Sequence, residues 1–300
     1  MNSRLCLGTV QFGLDYGVNN QLGKPDKADV FQMLDIAADR GIKYIDTAAA
    51  YGNAEELLGE YIIKRGAYHK FEVISKLKPN LIDKCLNNKV ITVENEIVKS
   101  LEKMNLDVLN GYLLHTPTDF YYSEVIEGLI RSKEKGLVKN IGVSIYEFSH
   151  AMDVVSSDCI DYIQVPYNIF DQRMDQEHFF ETAKKNNIKV FSRSAFLQGL
   201  LLMDVNQLPL HLKHAKEYLL QYKGILVKYG MTKDEGAIVF SYNNTNFDYL
   251  VFGVDNQEQL IRDIAIIENN EIDKNYIKQI KETFSKIEES IIFPSLWAKE

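Results

Sequence analysis

Short apolar runs alternate with longer stretches of helical periodicity along almost the whole chain. The first run is Leu5–Gly8. From Asp29 to Arg40, Val30, Phe31, Leu34 and Ala37 recur on one helical face, and Gly41 stops the helix. Strand Lys43–Asp46 follows, and the cycle repeats: helix Glu55–Lys64 and strand Phe71–Lys76, helix Val93–Met104 and strand Gly111–His115, helix Glu124–Lys135 and strand Asn140–Ser144. The later units are helix Phe148–Val155, strand Asp161–Val165, helix Glu177–Asn186 and strand Lys189–Ser192. Helices Leu212–Lys228 and Lys233–Tyr242, strand Tyr249–Gly253 and helix Gln257–Glu268 complete the series. An amphipathic segment, Lys274–Ile291, closes the chain.

Strands separated by helices predict parallel βαβ units, and eight of them are the count for a closed (β/α)8 TIM barrel in the α/β class. A doubly wound sheet is the competitor, but the turn after the first strand, GTVQFGLDYG, lacks the GxGxxG fingerprint of that fold. With no linker of biased composition, the expectation is a single domain over residues 1–300, its core about 5–268 and a C-terminal extension 269–300 carrying an extra helix.

Composition narrows the function. The net charge is −8, with no basic face for nucleic acid. No apolar stretch approaches the roughly 18 residues of a membrane helix. Three distant cysteines without a CxxC, and an N-terminus without an apolar leader, point to a reducing, cytoplasmic setting. His211 and His214 lie three apart without carboxylate or cysteine company, so no metal site is expected. No pattern specifies an oligomeric state.

Active-site groups of a barrel sit at the C-terminal ends of its strands. There the chain places Asp46, Lys76, His115, Ser144 and Gln164, with Tyr51 in the loop after Asp46. This set suits carbonyl reduction. Tyrosine is a weak acid, a nearby Lys76 would lower its pKa, Asp46 would hold Lys76 charged, and His115 can orient the carbonyl. No side chain donates hydride, so a nicotinamide or similar cofactor is implied.

The motifs LGTVQFG, DTAAAYGNAEELLG, ISKL, LLHTP and GVS, in this order and spacing from Leu5 to about Asp263, resemble the aldo-keto reductase family of short bacterial type. The resemblance implies reduction of a small-molecule aldehyde or ketone, such as a sugar derivative. Tyr51 would be the acid, Lys76 and Asp46 would tune it, and His115 would orient the substrate. It places Thr9, Val10 and Asp46 by the nicotinamide ribose, Ser144 and Gln164 at the carboxamide, and Phe191 under the ring. Ser192 and Arg193 fall at the diphosphate, and Gly253, Asn256, Gln259 and Arg262 at the 2′-phosphate and adenine. The cofactor implied is NADPH, with NADH the alternative, because Gly253, Val254 and Gln259 stand where many relatives carry a Lys-Ser pair and an Arg, with the acidic Asp255 between them. Ile145 replaces an asparagine that would be a second carboxamide contact. Tyr16, Tyr146, Tyr167 and Phe170 are expected at the mouth. The C-terminal segment with Trp297 is the candidate cover for the barrel floor, since the N-terminal hairpin of many relatives is absent. Two other classes compete: a cofactor-sensing regulatory barrel, and a lyase using Lys76 as a Schiff base.

Overall fold

The computed structural model describes residues 3–85, 88–176, 178–269 and 273–297. Its strands are β1 (Leu5–Gly8), β2 (Tyr44–Asp46), β3 (Glu72–Lys76), β4 (Leu109–Leu114), β5 (Val138–Ser144), β6 (Tyr162–Pro166), β7 (Lys189–Arg193) and β8 (Tyr249–Phe252). All neighbours pair in parallel, and β8 returns to β1, which closes the barrel. The helices are α1 (Val10–Gly13), α2 (Lys27–Asp39), α3 (Ala54–Arg65), α4 (Lys89–Met104), α5 (Ser123–Glu134) and α6 (Phe148–Val155). After these come α7 (Phe179–Lys185), α8 (Lys216–Tyr229), α9 (Lys233–Tyr242), α10 (Gln257–Asn269), α11 (Lys274–Thr283) and α12 (Glu289–Ile292).

The expected elements are present, and their edges differ for local reasons. Helix α2 starts two residues early because the Asp26 carboxylate caps it, accepting from Asp29 N at 2.9 Å. Strand β4 starts at Leu109 and takes in Asn110, whose amide donates to Glu72 at 2.7 Å and whose oxygen accepts from the Tyr162 hydroxyl at 2.9 Å. A polar residue with both functions satisfied sits in a strand that an apolar pattern begins later. The closing segment is broken, with α11 ending at Thr283 and α12 separate. Glu177, the expected start of a helix, lies outside the described residues.

Period-two alternation stacks the barrel interior in layers. Cys6, Tyr44, Ile74, Leu113, Tyr162, Phe191 and Val251 form one buried cluster inside the barrel. Two residues further along the same strands, on the same face, come Gly8, Asp46, Lys76, His115, Gln164, Arg193 and Gly253. The middle of the barrel is therefore filled by packing, and the next layer up is the mouth.

The floor is covered differently from expectation. Tyr44 and Tyr249 pack at 4.2 Å between ring centroids, with Phe191 stacked on Tyr249 at 4.9 Å and Tyr162 at 5.1 Å from Phe191. This aromatic cluster plugs the lower barrel. The C-terminal segment instead reaches the mouth, where Pro294 and Ser295 line the main cavity. Trp297 anchors that segment through a 3.2 Å bond from its indole N–H to Ile291 O.

Two contacts fix the loop that carries Tyr51. At the start of α3, buried Glu55 accepts from the Ser75 hydroxyl at 2.6 Å, which ties the helix to β3. On the other side, the loop after β1 packs backbone to backbone against it. A Cβ on Gly13 would fall on Tyr51 O, and one on Gly52 (φ +56°) would fall on Gly13 O. Only glycine allows this approach. Gly13→Ala is therefore expected to cost at least ~1–3 kcal/mol, the usual range for overpacking, as read by urea denaturation. A loss below 0.5 kcal/mol, by rough measure, would mean that the loops separate easily.

Candidate active site

The mouth of the barrel opens into a cavity of about 940 Å³, within the range of small-molecule sites. Its base is a buried ion pair. Lys76 Nζ donates to both Asp46 oxygens at 2.7 Å and to Thr47 O at 3.0 Å, and it reaches the Tyr51 hydroxyl oxygen at 3.4 Å. Neither charged side chain is more than 6% exposed. Gln164 fixes the carboxylate further, its amide donating to Asp46 Oδ1 at 2.8 Å. The Thr9 backbone N–H and hydroxyl both donate to Asp46 O, at 2.9 and 3.1 Å. Each strand end therefore braces its neighbour through Asp46.

Tyr51 and His115 meet edge to face at 5.8 Å between centroids. The Tyr51 hydroxyl behaves otherwise than the sequence suggests. Burial pushes its pKa well above the ordinary value, the Asp46 carboxylate adds to the shift, and Arg193 opposes it. The charge of Lys76 is largely neutralised by Asp46, so it does not dominate. The result is a phenol that keeps its proton at neutral pH. Burial, helped by the positive charges of Lys76 and Arg193, pushes the His115 imidazole down to about 3. His115 is thus neutral, and its Nδ1 has no hydrogen-bond partner among the described residues.

The structure brings Thr9, Val10, Asp46, Ser144, Gln164, Arg193 and Gly253 to the cavity. The two expected residues of β7 that precede Arg193 are elsewhere. Phe191 is 1% exposed, packed among Tyr44, Tyr162 and Tyr249 in the layer below the mouth. Ser192 lies on the opposite strand face, fully buried, its hydroxyl donating to Tyr249 O at 3.3 Å. The planar group of β7 at the mouth is Arg193. Its guanidinium lies over the Tyr146 ring at 4.5 Å and donates to Ile145 O at 2.9 Å, and its buried Nε has no partner among the described residues. The signal was the strand period: Arg193 shares a face with Phe191 and stands one step nearer the strand end.

Of the aromatic residues expected at the rim, Tyr16 and Tyr146 line the cavity. Tyr167 and Phe170 do not. They are buried against Phe240 and Phe247, and against Tyr218 and Phe284. Gln259 and Arg262 border a smaller annex beyond Gly253. Asn256 reaches neither space and instead caps the first turn of α10, accepting from Gln259 N at 2.9 Å. Ile145 is fully buried and offers the cavity no side-chain hydrogen bond.

A nicotinamide dinucleotide fits these residues. Gly253 lets the Gln11 side chain lie directly against the backbone, since a Cβ there would sit 2.5 Å from Gln11 Oε1. That Gln11 oxygen and Arg193 Nε are buried polar atoms without partners among the described residues. The loop after β7 borders the cavity through Ser194 and Gln198; these two and buried Leu197 stand at positive φ, and Gln198 O accepts from Val18 N at 2.9 Å. Strained non-glycine residues of this kind persist where the surroundings enforce them.

The model of the Aldo/keto reductase family matches residues 4–284, and the chain belongs to this family. Aldo-keto reductase YhdN of Bacillus subtilis is 29% identical over 208 residues, 66% of this chain and 60% of that protein. The NADH-specific methylglyoxal reductase of Escherichia coli is 27% identical over 217 residues, 66% of this chain and 65% of that one. The matches thus span less than two thirds of the length of these curated relatives. A solved structure from Pseudomonas aeruginosa assigned to the aldo-keto reductases superposes with a TM-score of 0.65 at 21% identity, over 88% of both chains. That is a likeness of fold.

The ion pair gives a test independent of turnover. Asp46→Ala strands a buried ammonium and should cost ~3–5 kcal/mol in chemical denaturation. Replacing both partners by Lys76→Met and Asp46→Leu should restore most of it. A single variant as stable as the parent would show that the pair does not brace the mouth.

Proposed function

We propose that this chain is a nicotinamide-dependent carbonyl reductase that converts a small aldehyde or ketone to an alcohol. The observation that carries the reading is the convergence on one cavity of a protonated phenol, a neutral imidazole and the Asp46 carboxylate, with buried Lys76 paired to Asp46 and within reach of Tyr51. When bound, a reduced nicotinamide dinucleotide supplies the hydride.

The protein supplies the rest. Tyr51 Oη accepts from Lys76, which leaves its own proton free to pass to the carbonyl oxygen as negative charge develops there. Lys76 and Arg193 then stabilise the tyrosinate. Neutral His115 has a ring N–H to donate to the same oxygen, which polarises and orients the carbonyl. Asp46 keeps Lys76 charged and stationary. The reaction balances as one carbonyl, one hydride and one proton giving one alcohol. Lys76 held by Asp46 at 2.7 Å is not the free amine that a Schiff-base lyase requires.

Small oxo-aldehydes, the substrate class in the name of the Escherichia coli relative, and keto-sugars form the natural panel. Such chemistry suits the cytoplasm, where reduced dinucleotide is abundant. None of the helices among the described residues is long and apolar enough to cross a membrane.

Two measurements follow. Tyr51→Phe should lower kcat by ~10²–10⁴-fold while the dinucleotide dissociation constant, read by nicotinamide fluorescence, stays within about threefold. If cofactor affinity collapses instead, Tyr51 is not the acid. The pH profile of kcat/KM for reduction should be flat on the acid side down to about pH 5, because His115 titrates near 3 and is already neutral. Activity should fall only on the alkaline side, above the ordinary tyrosine value near 10, as Tyr51 loses its proton. An acid limb near pH 6.5 that disappears in His115→Gln would contradict a neutral His115.

A further inference from the structure

The main cavity continues past Gln11, Phe196, Gln198 and Gly253 into the annex. Three carboxylates line it: Asp234 on α9, Asp255 in the turn after β8, and Asp263 on α10. Among the described lining residues the single cation is Arg262, and its Nε is already held by Asp234 at 2.6 Å. Gln259, the remaining polar group of that helix turn, is also engaged, accepting from Asp255 N at 2.7 Å. The annex therefore sets three carboxylates against one guanidinium, and that guanidinium is already paired with Asp234 through its Nε.

Asp263 is the informative residue. It is 3% exposed, and its carboxyl makes no hydrogen bond or ion pair among the described residues although it borders the annex. A buried carboxyl without a partner is costly, and the cost is relieved when a ligand supplies donors. Burial raises its pKa to about 7, so it can accept as a carboxylate or donate as an acid. Asp255 is half-buried, with only a 3.4 Å contact from the Gln259 amide to its side chain.

We infer that the annex takes the adenosine half of the cofactor with a free ribose 2′-hydroxyl, and that Asp255 and Asp263 make the chain selective for NADH over NADPH. This rests on the reductase reading above, and it reverses the NADPH expectation. A dinucleotide whose nicotinamide lies against Tyr51 must send its other half along a continuous groove, and the annex is that continuation. Ribose hydroxyls and the adenine amine are donors that carboxylates accept. A 2′-phosphate brings close to two negative charges at neutral pH, and like charges set side by side repel. Dinucleotide sites on other folds use the same logic, with an acid for the 2′-hydroxyl and an arginine for the 2′-phosphate.

The test is binding, not turnover. Purified full-length protein is titrated with NADH and with NADPH at one ionic strength, following nicotinamide fluorescence. NADH should bind about tenfold or more tightly than NADPH. Adenosine 5′-monophosphate should displace NADH better than adenosine 2′,5′-bisphosphate. The double variant Asp255→Ser with Asp263→Asn should shift the ratio of the two dissociation constants about tenfold or more toward NADPH. If Asp263→Asn does not fold, Asp255→Ser alone should move the ratio in the same direction. NADPH binding as tightly as NADH overturns the selectivity and leaves the reductase reading intact. Tighter NADH with a ratio unmoved by the variants overturns the roles of Asp255 and Asp263. Failure of both nucleotides to bind removes the reductase reading and this inference with it.

Discussion

The mouth of this barrel is organised around one buried ion pair. Asp46 and Lys76 lie at the ends of adjacent strands, and each would be untenable alone at that depth. Together they are close to neutral as a unit, and the surrounding groups are satisfied by reference to them: Gln164 on the carboxylate, Thr9 on the Asp46 carbonyl, Thr47 O on the ammonium. The same neutrality explains why Tyr51 keeps its proton. An isolated ammonium at 3.4 Å would draw the phenol toward tyrosinate, but an ammonium matched by a carboxylate does so far less, and burial decides the direction. The pairing therefore leaves Tyr51 protonated, which is the state the proposed reduction requires.

The fold was legible because the eight strands and their helices obey simple periods, and the strand-end residues fall on a single repeat. Asp46, Lys76, His115 and Gln164 each come two positions after a buried residue of the barrel interior, so position and chemistry agree. The difficulty came where position and residue type disagreed. On β7 an aromatic side chain was the attractive candidate for the mouth, but Phe191 occupies the packed layer and Arg193 the open one. Side-chain character cannot resolve a shift of one pleat, whereas the layer below can, because Phe191 is needed there to stack on Tyr249. Tyr167 and Phe170 were misplaced for a related reason: a position after a strand leads to the rim only if the chain does not turn back into the core.

The two ends of the barrel are closed by unlike means. Below, an aromatic plug of Tyr44, Tyr162, Phe191 and Tyr249 fills the bore. Above, the closure is partial and built from late sequence: the loop after β7 and the turn at Pro294 and Ser295. Charges are divided in the same way. The positive Arg193 stands near the reacting end of the cavity, while Asp234, Asp255 and Asp263 gather at the far end. Sequence motifs report the first region well, because its residues lie at strand ends. They report the second poorly, because its character depends on which partner each side chain has taken. Arg262 is a cation in the sequence, and in the fold it is a partner of Asp234.

The joint between Gly13 and Gly52 has a bearing on engineering. The two motifs LGTVQFG and DTAAAYG look like separate signatures some forty residues apart, yet they are the two halves of one hinge-like seat with no side chain between them. Any library that diversifies the loop after β1 to admit new substrates will therefore also shift the seat of Tyr51. In the proposed reaction, recognition and proton delivery are thereby mechanically coupled, and a grafted loop has to keep the glycine contact if Tyr51 is to stay in register.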